Sequence, residues 1–210
     1  MKAKKILLII SIFFTPFSPI FGDENFNEKD SSNHFGFYAS ASVYRSTYKG
    51  ELAGFTNLSA GTIINDAYTL AVVYKNKHNS SLNNSYQLGS SKNQLPYIEN
   101  YNIGLQIGIS QKIHKAVNMN FGAIFSQGNA SLYELVMDNT GTFGSTQLTN
   151  KSKYSVFEPY LGIEFIPNIS WIRLELMTSY NLIFGLSIPY HTKADLSGPS
   201  VSFAFKFGIY

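Results

Sequence analysis

Eight segments of this chain alternate apolar and polar residues, and their apolar faces carry no Asp, Glu, Lys or Arg. The cleanest is 101–110, where Tyr101, Ile103, Leu105, Ile107 and Ile109 alternate with polar residues and glycines. A period of two predicts β-strands with one apolar face. The other segments are 35–43, about 53–64, 67–75, 117–127, about 154–166, about 170–182 and 201–210.

The charges in the middle of these segments all lie on the opposite face: Glu158, Glu164, Arg173, Glu175 and Lys206. A lysine or arginine facing lipid at mid-depth of a bilayer costs about 2–4 kcal/mol. A set of charge-free faces is therefore typical of strands that turn those faces to lipid.

The connections between the segments alternate in length. Short turns are predicted at 65–66, 114–116 and 167–168, whereas 76–96, 128–153 and 183–198 are predicted as long, mostly polar loops. A tilted strand needs about 9–11 residues to cross a bilayer, and membrane barrels have short turns at one end and long loops at the other. The sequence thus predicts an all-β fold over residues 35–210, an eight-stranded antiparallel up-and-down transmembrane β-barrel.

The first 34 residues have a different composition. Basic Lys2, Lys4 and Lys5 precede a short apolar stretch and a small Gly22, which predicts a cleaved signal peptide over residues 1–22. Residues 23–34 are polar and are predicted to be a flexible periplasmic lead-in. Residues 1–22 hold three of the 16 basic residues and none of the 13 acidic ones, so the remainder is formally neutral and has no nucleic-acid footprint. The chain has no cysteine, which fits export into an oxidising compartment.

Alternation alone also permits a soluble lipocalin-like barrel, in which the apolar face points inward around a ligand. The polar face here consists mainly of Gly, Ser, Asn, Tyr and charges that can pair, rather than the Lys and Glu of a solvated exterior. This composition favours a filled, narrow interior and an exterior in lipid.

The architecture resembles the small eight-stranded outer-membrane proteins, the superfamily of outer membrane protein A and X transmembrane domains and the opacity-type adhesins. The last segment, VSFAFKFGIY, resembles the strand that the barrel-assembly machinery recognises, through Phe203, Phe205, Phe207, Ile209 and Tyr210. It departs from that pattern because Tyr210 lies one residue out of phase with the apolar ladder. The resemblance implies a bacterial outer-membrane location with long loops outside and with short turns and both termini periplasmic. It also implies outer-membrane lipid, including lipopolysaccharide, as a partner.

An eight-stranded barrel is so narrow that side chains fill it, and buried charges there should pair. A tight turn at Pro167-Asn168 predicts Gly162 opposite Arg173 and Tyr160 opposite Glu175, with Lys206 at the level of Arg173. We therefore predict an interior charge cluster that closes the lumen, with a looser, solvated set of charges as the alternative. Its members are Glu164, Arg173, Glu175 and Lys206.

Enzymes on this kind of barrel form a further class. His78 and Ser80 have the spacing of a lipid A deacylase pair, but no acidic partner is evident and serines are common in this stretch. The four histidines show no metal-ligand spacing. The sequence therefore predicts a protein that is not an enzyme and needs no cofactor or metal.

The predicted loop 128–153 contains an apolar stretch within a polar context. It could extend a hairpin, or form a helical turn with Ser131 and Glu134 as a capping box. Functional contacts concentrate on loops, so we predict a structural or adhesin-like surface role, in which loops 76–96, 128–153 and 183–198 could meet a host or surface molecule. A narrow porin-like channel is the alternative. The candidate contact residues of the apolar stretch are Leu132, Tyr133, Leu135, Val136 and Met137.

Overall fold

The computed structural model describes residues 34–48, 51–77, 97–137, 143–189 and 192–210. These form eight strands in one closed barrel, in which each strand pairs antiparallel with its neighbours in sequence and β1 pairs with β8. The prediction of an eight-stranded antiparallel up-and-down barrel is confirmed. The predicted signal peptide 1–22 and the lead-in up to residue 33 lie outside the described residues.

Most of the strands are longer than the alternating segments that predict them. A single helical turn, α1 (Lys193–Leu196), precedes the last strand. No helix in the described ranges is long and apolar enough to cross a membrane. The strands are β1 (Phe35–Tyr48), β2 (Glu51–Ile64), β3 (Tyr68–Lys77), β4 (Tyr97–His114), β5 (Val117–Met137), β6 (Phe143–Phe165), β7 (Ile172–Phe184) and β8 (Gly198–Ile209).

Burial alternates along the strands with the same period as the sequence. In β8, Phe203, Phe205 and Phe207 are 43–45% exposed on the outside, whereas Ala204 and Lys206 are buried inside. The same face of the other strands supplies further exposed large apolar side chains, which with these three form the outer belt. They include Phe37, Val43, Leu58, Leu70, Val72, Ile103, Leu105, Ile107, Phe125, Leu161 and Leu176.

The predicted loop at 128–153 is wrong for most of its length. Strands β5 and β6 run through it as a continuous hairpin, paired from Val117↔Phe165 to Met137↔Phe143 with two register shifts. The hairpin extension weighed for this stretch is therefore correct, and the capping-box helix at Ser131 is wrong. The 21 and 23 residues of these strands greatly exceed the 9–11 that a bilayer crossing requires.

The turn between β6 and β7 is longer than the predicted Pro167-Asn168 pair. Residues 166–171 make the connection, and the Ile172 N–H donates to the Ile169 carbonyl. As a result Glu164 pairs with Glu175 and Gly162 pairs with Met177. The predicted pairing of Gly162 with Arg173 is wrong by four residues, because a six-residue turn consumes more of the chain than a two-residue turn.

The glycines of the polar face make room for tyrosines. Tyr160 lies opposite Gly122 and Tyr154 lies opposite Gly128, on the neighbouring strand. A Cβ atom at Gly122 would come within 2.6 Å of the Tyr160 hydroxyl, and one at Gly128 would come within 2.5 Å of the Tyr154 ring. These glycines therefore do more than relieve barrel curvature, since they leave the space into which the interior tyrosines pack.

Gly122→Ala is expected to lower the free energy of unfolding by about 1–3 kcal/mol, the usual cost of overpacking a filled interior. The new methyl group would have to displace Tyr160 or separate the strand from Gly108, whose Cα would lie 2.7 Å away. Urea unfolding in lipid vesicles measures the change. Gly54→Ala is the matched control, because its Cβ would meet nothing nearer than the Arg45 side chain at 3.9 Å. Equal stability of the two variants would contradict this account of the glycines.

Candidate functional site

The barrel interior contains a network of four charged side chains near the short-turn end, the end formed by residues 65–67, 115–116 and 166–171. Glu164 is its centre and is 2% exposed. The Arg173 Nη1 donates to Glu164 Oε1 over 3.0 Å, and the Lys206 Nζ donates to Glu164 Oε2 over 2.7 Å. Both carboxylate oxygens of Glu164 are therefore paired with a cation.

Glu175 completes this interior charge network. Its Oε2 lies 3.1 Å from the Lys206 Nζ, while its Oε1 accepts a hydrogen bond from Asn120 over 2.6 Å. Asn118 donates to Glu164 over 3.3 Å. Two carboxylates and two cations thus form a formally neutral, amide-supported cluster, which is the condition under which burial of charge is tolerated.

The structure brings all four predicted cluster residues together, although through a different register from the predicted one. Arg173 and Lys206 are direct cross-strand partners, and Glu164 and Glu175 are partners on the adjoining pair. Two like-charged pairs placed directly opposite each other would repel. Here each cation instead contacts a carboxylate. The four side chains therefore form one connected network rather than two isolated salt bridges.

Aromatic rings cover the cations of the network. The Arg173 guanidinium lies 3.6 Å from the centre of the Tyr210 ring, and the Lys206 Nζ lies 5.4 Å from the centre of the Tyr38 ring. Both arrangements have the geometry of cation–π contacts. Tyr210 thus turns to the interior, whereas the other residues of the predicted assembly strand, Phe203, Phe205, Phe207 and Ile209, are exposed on the outer face.

A second interior ion pair was not predicted from the sequence. Lys75 on β3 binds Glu158 on β6 across the lumen, and both are buried. Ser179 donates to Glu158 over 2.5 Å, and Lys75 lies 4.3 Å from the Tyr44 ring centre. The alternation along β3 could have predicted this pair. Tyr74 lies on the apolar face, so Lys75, the next residue, lies on the polar face that points inward.

Between the two charged layers lies an apolar one. It consists of Val73, Ile124, Tyr160 and Met177, all buried. The Tyr160 hydroxyl donates to the Ile107 carbonyl over 3.4 Å. The Tyr160 side chain therefore extends from β6 across the inner face of β5 to β4. The interior is thus occupied at mid-height as well as at the charged layers.

The opposite end of the interior, the hairpin end, contains an apolar cluster that we call the apolar cap. Gly185, with a φ of 78°, turns the chain after β7, and residues 186–188 and α1 place their apolar side chains inward. The Ile183 N–H donates to Ser197 Oγ over 3.2 Å, and the Ser187 N–H donates to Ser152 Oγ over 2.9 Å. The predicted polar loop 183–198 therefore closes onto the lumen where it is described. The cap comprises Ala130, Leu132, Tyr154, Val156, Ile183, Leu186, Ile188 and Leu196.

Beneath the cap lies a cavity of about 30 Å³ lined by residues that include Tyr44, Lys75, Asn100, Asn102 and Asn181. Its volume accommodates one or two water molecules. The Asn102 Oδ1 has no hydrogen-bond partner among the described residues, so a water molecule here would satisfy it. The cavity is too small for an organic ligand, and the arrangement is that of a packed core.

Not all of the candidate contact residues face outward. Leu132 is 1% exposed inside the cap, so its assignment as a surface contact is wrong; its strand parity turns it to the interior. Tyr133 is on the outer face and pairs with Tyr97 and Leu148. The side chains of Leu135, Val136 and Met137 lie outside the described residues, although their backbones belong to β5.

His78 and Ser80, which have the spacing of a deacylase pair, also lie outside the described residues. Within the part of the chain that the structure describes, no group of three or more His, Asp or Glu side chains could hold a metal ion.

No protein-family model matches the chain, and no curated protein matches its sequence. Among solved structures, Neisserial surface protein A superposes with a TM-score of 0.54 at 17% identity, over 82% of this chain and 96% of that one. The chain has the fold of the small outer-membrane barrels. This small barrel is also similar to the N-terminal domain of OprF from Pseudomonas aeruginosa (TM-score 0.49, 10% identity, 82% and 97% covered). A third similar structure is Ail, the attachment invasion locus protein of Yersinia pestis (TM-score 0.48, 11% identity, 83% and 97% covered).

Proposed function

We propose that this small barrel is a bacterial outer-membrane protein that spans the bilayer through its outer belt. The observation that carries the proposal is the inversion of polarity: large apolar side chains lie outside, whereas six charged side chains are buried inside, namely Lys75, Glu158, Glu164, Arg173, Glu175 and Lys206. Monomeric soluble proteins rarely expose contiguous apolar patches larger than a few hundred Å². The soluble lipocalin-like alternative requires the opposite arrangement.

The role that we propose is structural or adhesin-like, exerted at the hairpin end rather than through the lumen. The interior charge network, the Tyr160 layer and the apolar cap occupy the lumen in series. The β5–β6 hairpin supplies about ten paired residues per strand beyond the length that a bilayer crossing takes up. This hairpin would form a rigid extracellular platform for a surface or host partner, with the short turns and both termini periplasmic.

The porin-like channel is the weaker proposal, because the lumen cavity beneath the apolar cap has room for only one or two water molecules. Lipid A modification is weaker still, because it rests on His78 and Ser80 alone. Recognition by the barrel-assembly machinery would involve β8, whose outer face displays Phe203, Phe205 and Phe207. Tyr210 points inward and so departs from the usual pattern of the terminal strand. Assembly assays could therefore test whether the machinery recognises β8 of this barrel.

Expression in a Gram-negative host with membrane fractionation tests the proposal. We expect the protein in the outer membrane, with a mature N-terminus near residue 23 and a gel mobility that changes on boiling, since folded barrels resist detergent at room temperature. A soluble periplasmic protein whose mobility is unaffected by boiling would refute the membrane assignment.

A further inference from the structure

The outer face of β4–β7 contains a groove that the proposed function does not use. Its volume is about 550 Å³, within the range of small-molecule sites. Leu105, Phe125 and Phe157 form its lower edge as consecutive cross-strand partners. The Phe125 and Phe157 rings are 5.0 Å apart between centres.

The next row of the groove is more polar. Ile103, Gln127 and Ser155 are cross-strand partners there, and Phe184 pairs with Ser155 at the β7 side. The small Ser155 side chain between larger neighbours leaves the depression open. An elongated apolar group could lie along the phenylalanines while a polar group meets Gln127 and Ser155.

Above this row, toward the hairpin end, the outer face carries positive charge. Lys153 pairs with Asn129, which pairs with Tyr101, and the Asn129 Nδ2 donates to the Tyr101 hydroxyl over 3.0 Å. Lys151 lies one row further on, opposite Ser131. Both lysines are exposed, and neither forms an ion pair with another residue that the structure describes.

We propose that this groove binds an anionic lipid of the surrounding leaflet, with an acyl chain along Leu105, Phe125 and Phe157 and its phosphate beside Lys153 and Lys151. The inference rests on the proposed membrane location. A row of apolar residues, then hydrogen-bonding groups, then cations follows the order of chain, glycerol or sugar, and phosphate in such a lipid. Lysines near a membrane surface attract anionic headgroups.

Among the acidic side chains that the structure describes on the neighbouring strands, Glu99 lies nearest to the lysines in the strand pairing. It pairs with Ser131, which in turn pairs with Lys151, so Ser131 separates the two charges. Lys153 lies one row nearer the groove, between Asn129 and the end of β7. Of the two lysines, Lys153 should therefore contribute more to phosphate binding.

Tryptophan quenching by brominated lipids tests the inference. The chain has one tryptophan, Trp171, which is 55% exposed on the outer face at the short-turn end. A Phe157→Trp, Trp171→Phe protein places the reporter in the groove, and the unchanged protein keeps it at the other end. Each would be reconstituted in vesicles that contain brominated phosphatidylglycerol or brominated phosphatidylcholine.

At position 157 we expect phosphatidylglycerol to associate about fivefold or more strongly than phosphatidylcholine, since one lysine near an anionic surface contributes roughly that factor. Adding Lys151→Gln and Lys153→Gln should bring the ratio to about 1. Lys112→Gln with Lys115→Gln, two exposed lysines at the short-turn end, is the matched control and should leave the ratio unchanged. Trp171 should show no preference.

Quenching at position 157 that is equal for the two lipids, or a preference that survives loss of Lys151 and Lys153, would overturn the groove while leaving the membrane assignment intact. If neither reporter is quenched by any brominated lipid, the protein is not in the bilayer, and both proposals fail.

Discussion

Glu164→Gln should lower the free energy of unfolding by about 3–5 kcal/mol, the range for breaking a buried ion pair by removing one partner. The substitution preserves shape and leaves Arg173 and Lys206 in the interior with only Glu175 to balance them. Glu164 is 2% exposed and holds both cations, so no other described side chain within the network can take over its two contacts. Loss of any outer charge should be far milder.

Urea titrations in vesicles give the measurement, and Asp66→Asn is the control. Asp66 is exposed in the turn between β2 and β3 with a φ of 56°, a conformation that asparagine also adopts readily. Removing its charge should change stability by less than about 0.5 kcal/mol. A Glu164→Gln protein as stable as this control would contradict the interior charge network as a source of stability.

A second variant separates charge imbalance from lost packing. Arg173→Gln added to Glu164→Gln restores neutrality and leaves Lys206 paired with Glu175. We expect the double variant to be more stable than Glu164→Gln alone, because the uncompensated buried charge is the costly element. If the double variant loses more stability than the single one, the loss comes from packing on Tyr210 rather than from charge.

The faces of this barrel were predictable and its register was not. Parity alone placed Glu164, Arg173, Glu175 and Lys206 inside, because a period of two admits only two faces. Their mutual contacts depend on how many residues the β6–β7 turn consumes, and nothing in Pro167-Asn168 indicates that residues 166–171 all belong to it. A turn four residues longer shifted each cross-strand partner by four without changing any face.

The predicted ends of β5 and β6 were wrong for a different reason. Sequence reasoning ended β5 and β6 where the outer face becomes polar, at Gln127 and Ser155. Backbone pairing does not require an apolar outer face once the hairpin leaves the bilayer, so the strands continue. The inner face becomes apolar there, at Ala130, Leu132 and Val156. This alternation, with apolar residues on the inner rather than the outer face, could have predicted both the strand extension and the apolar cap.

Planar-bilayer recordings on the purified barrel are expected to show no steady conductance, and removal of any single interior layer should not open it. The layers lie in series, so the narrowest remaining layer sets the conductance. The neutral pair of substitutions Glu164→Ala and Arg173→Ala would empty part of the interior charge network, yet Tyr160 and the apolar cap would still occlude the lumen. A dry apolar constriction such as the cap excludes ions by dewetting even where it is not fully occluded.

Conductance should appear only when all the layers are opened together, by adding Lys75→Ala, Glu158→Ala, Tyr160→Ala and Leu196→Ala to that pair. Tyr160 matters most in this series, because Gly108 and Gly122 beneath it have no side chains to refill the space. Heat-modifiable mobility would verify that each variant is folded before recording. A steady conductance in the unchanged protein, or a single-layer variant that conducts as well as the combined one, would contradict closure in series and favour the channel. The expected order, with the combined variant alone conducting, follows from the stacking of two charged layers, the apolar layer that contains Tyr160 and the apolar cap along a single narrow lumen.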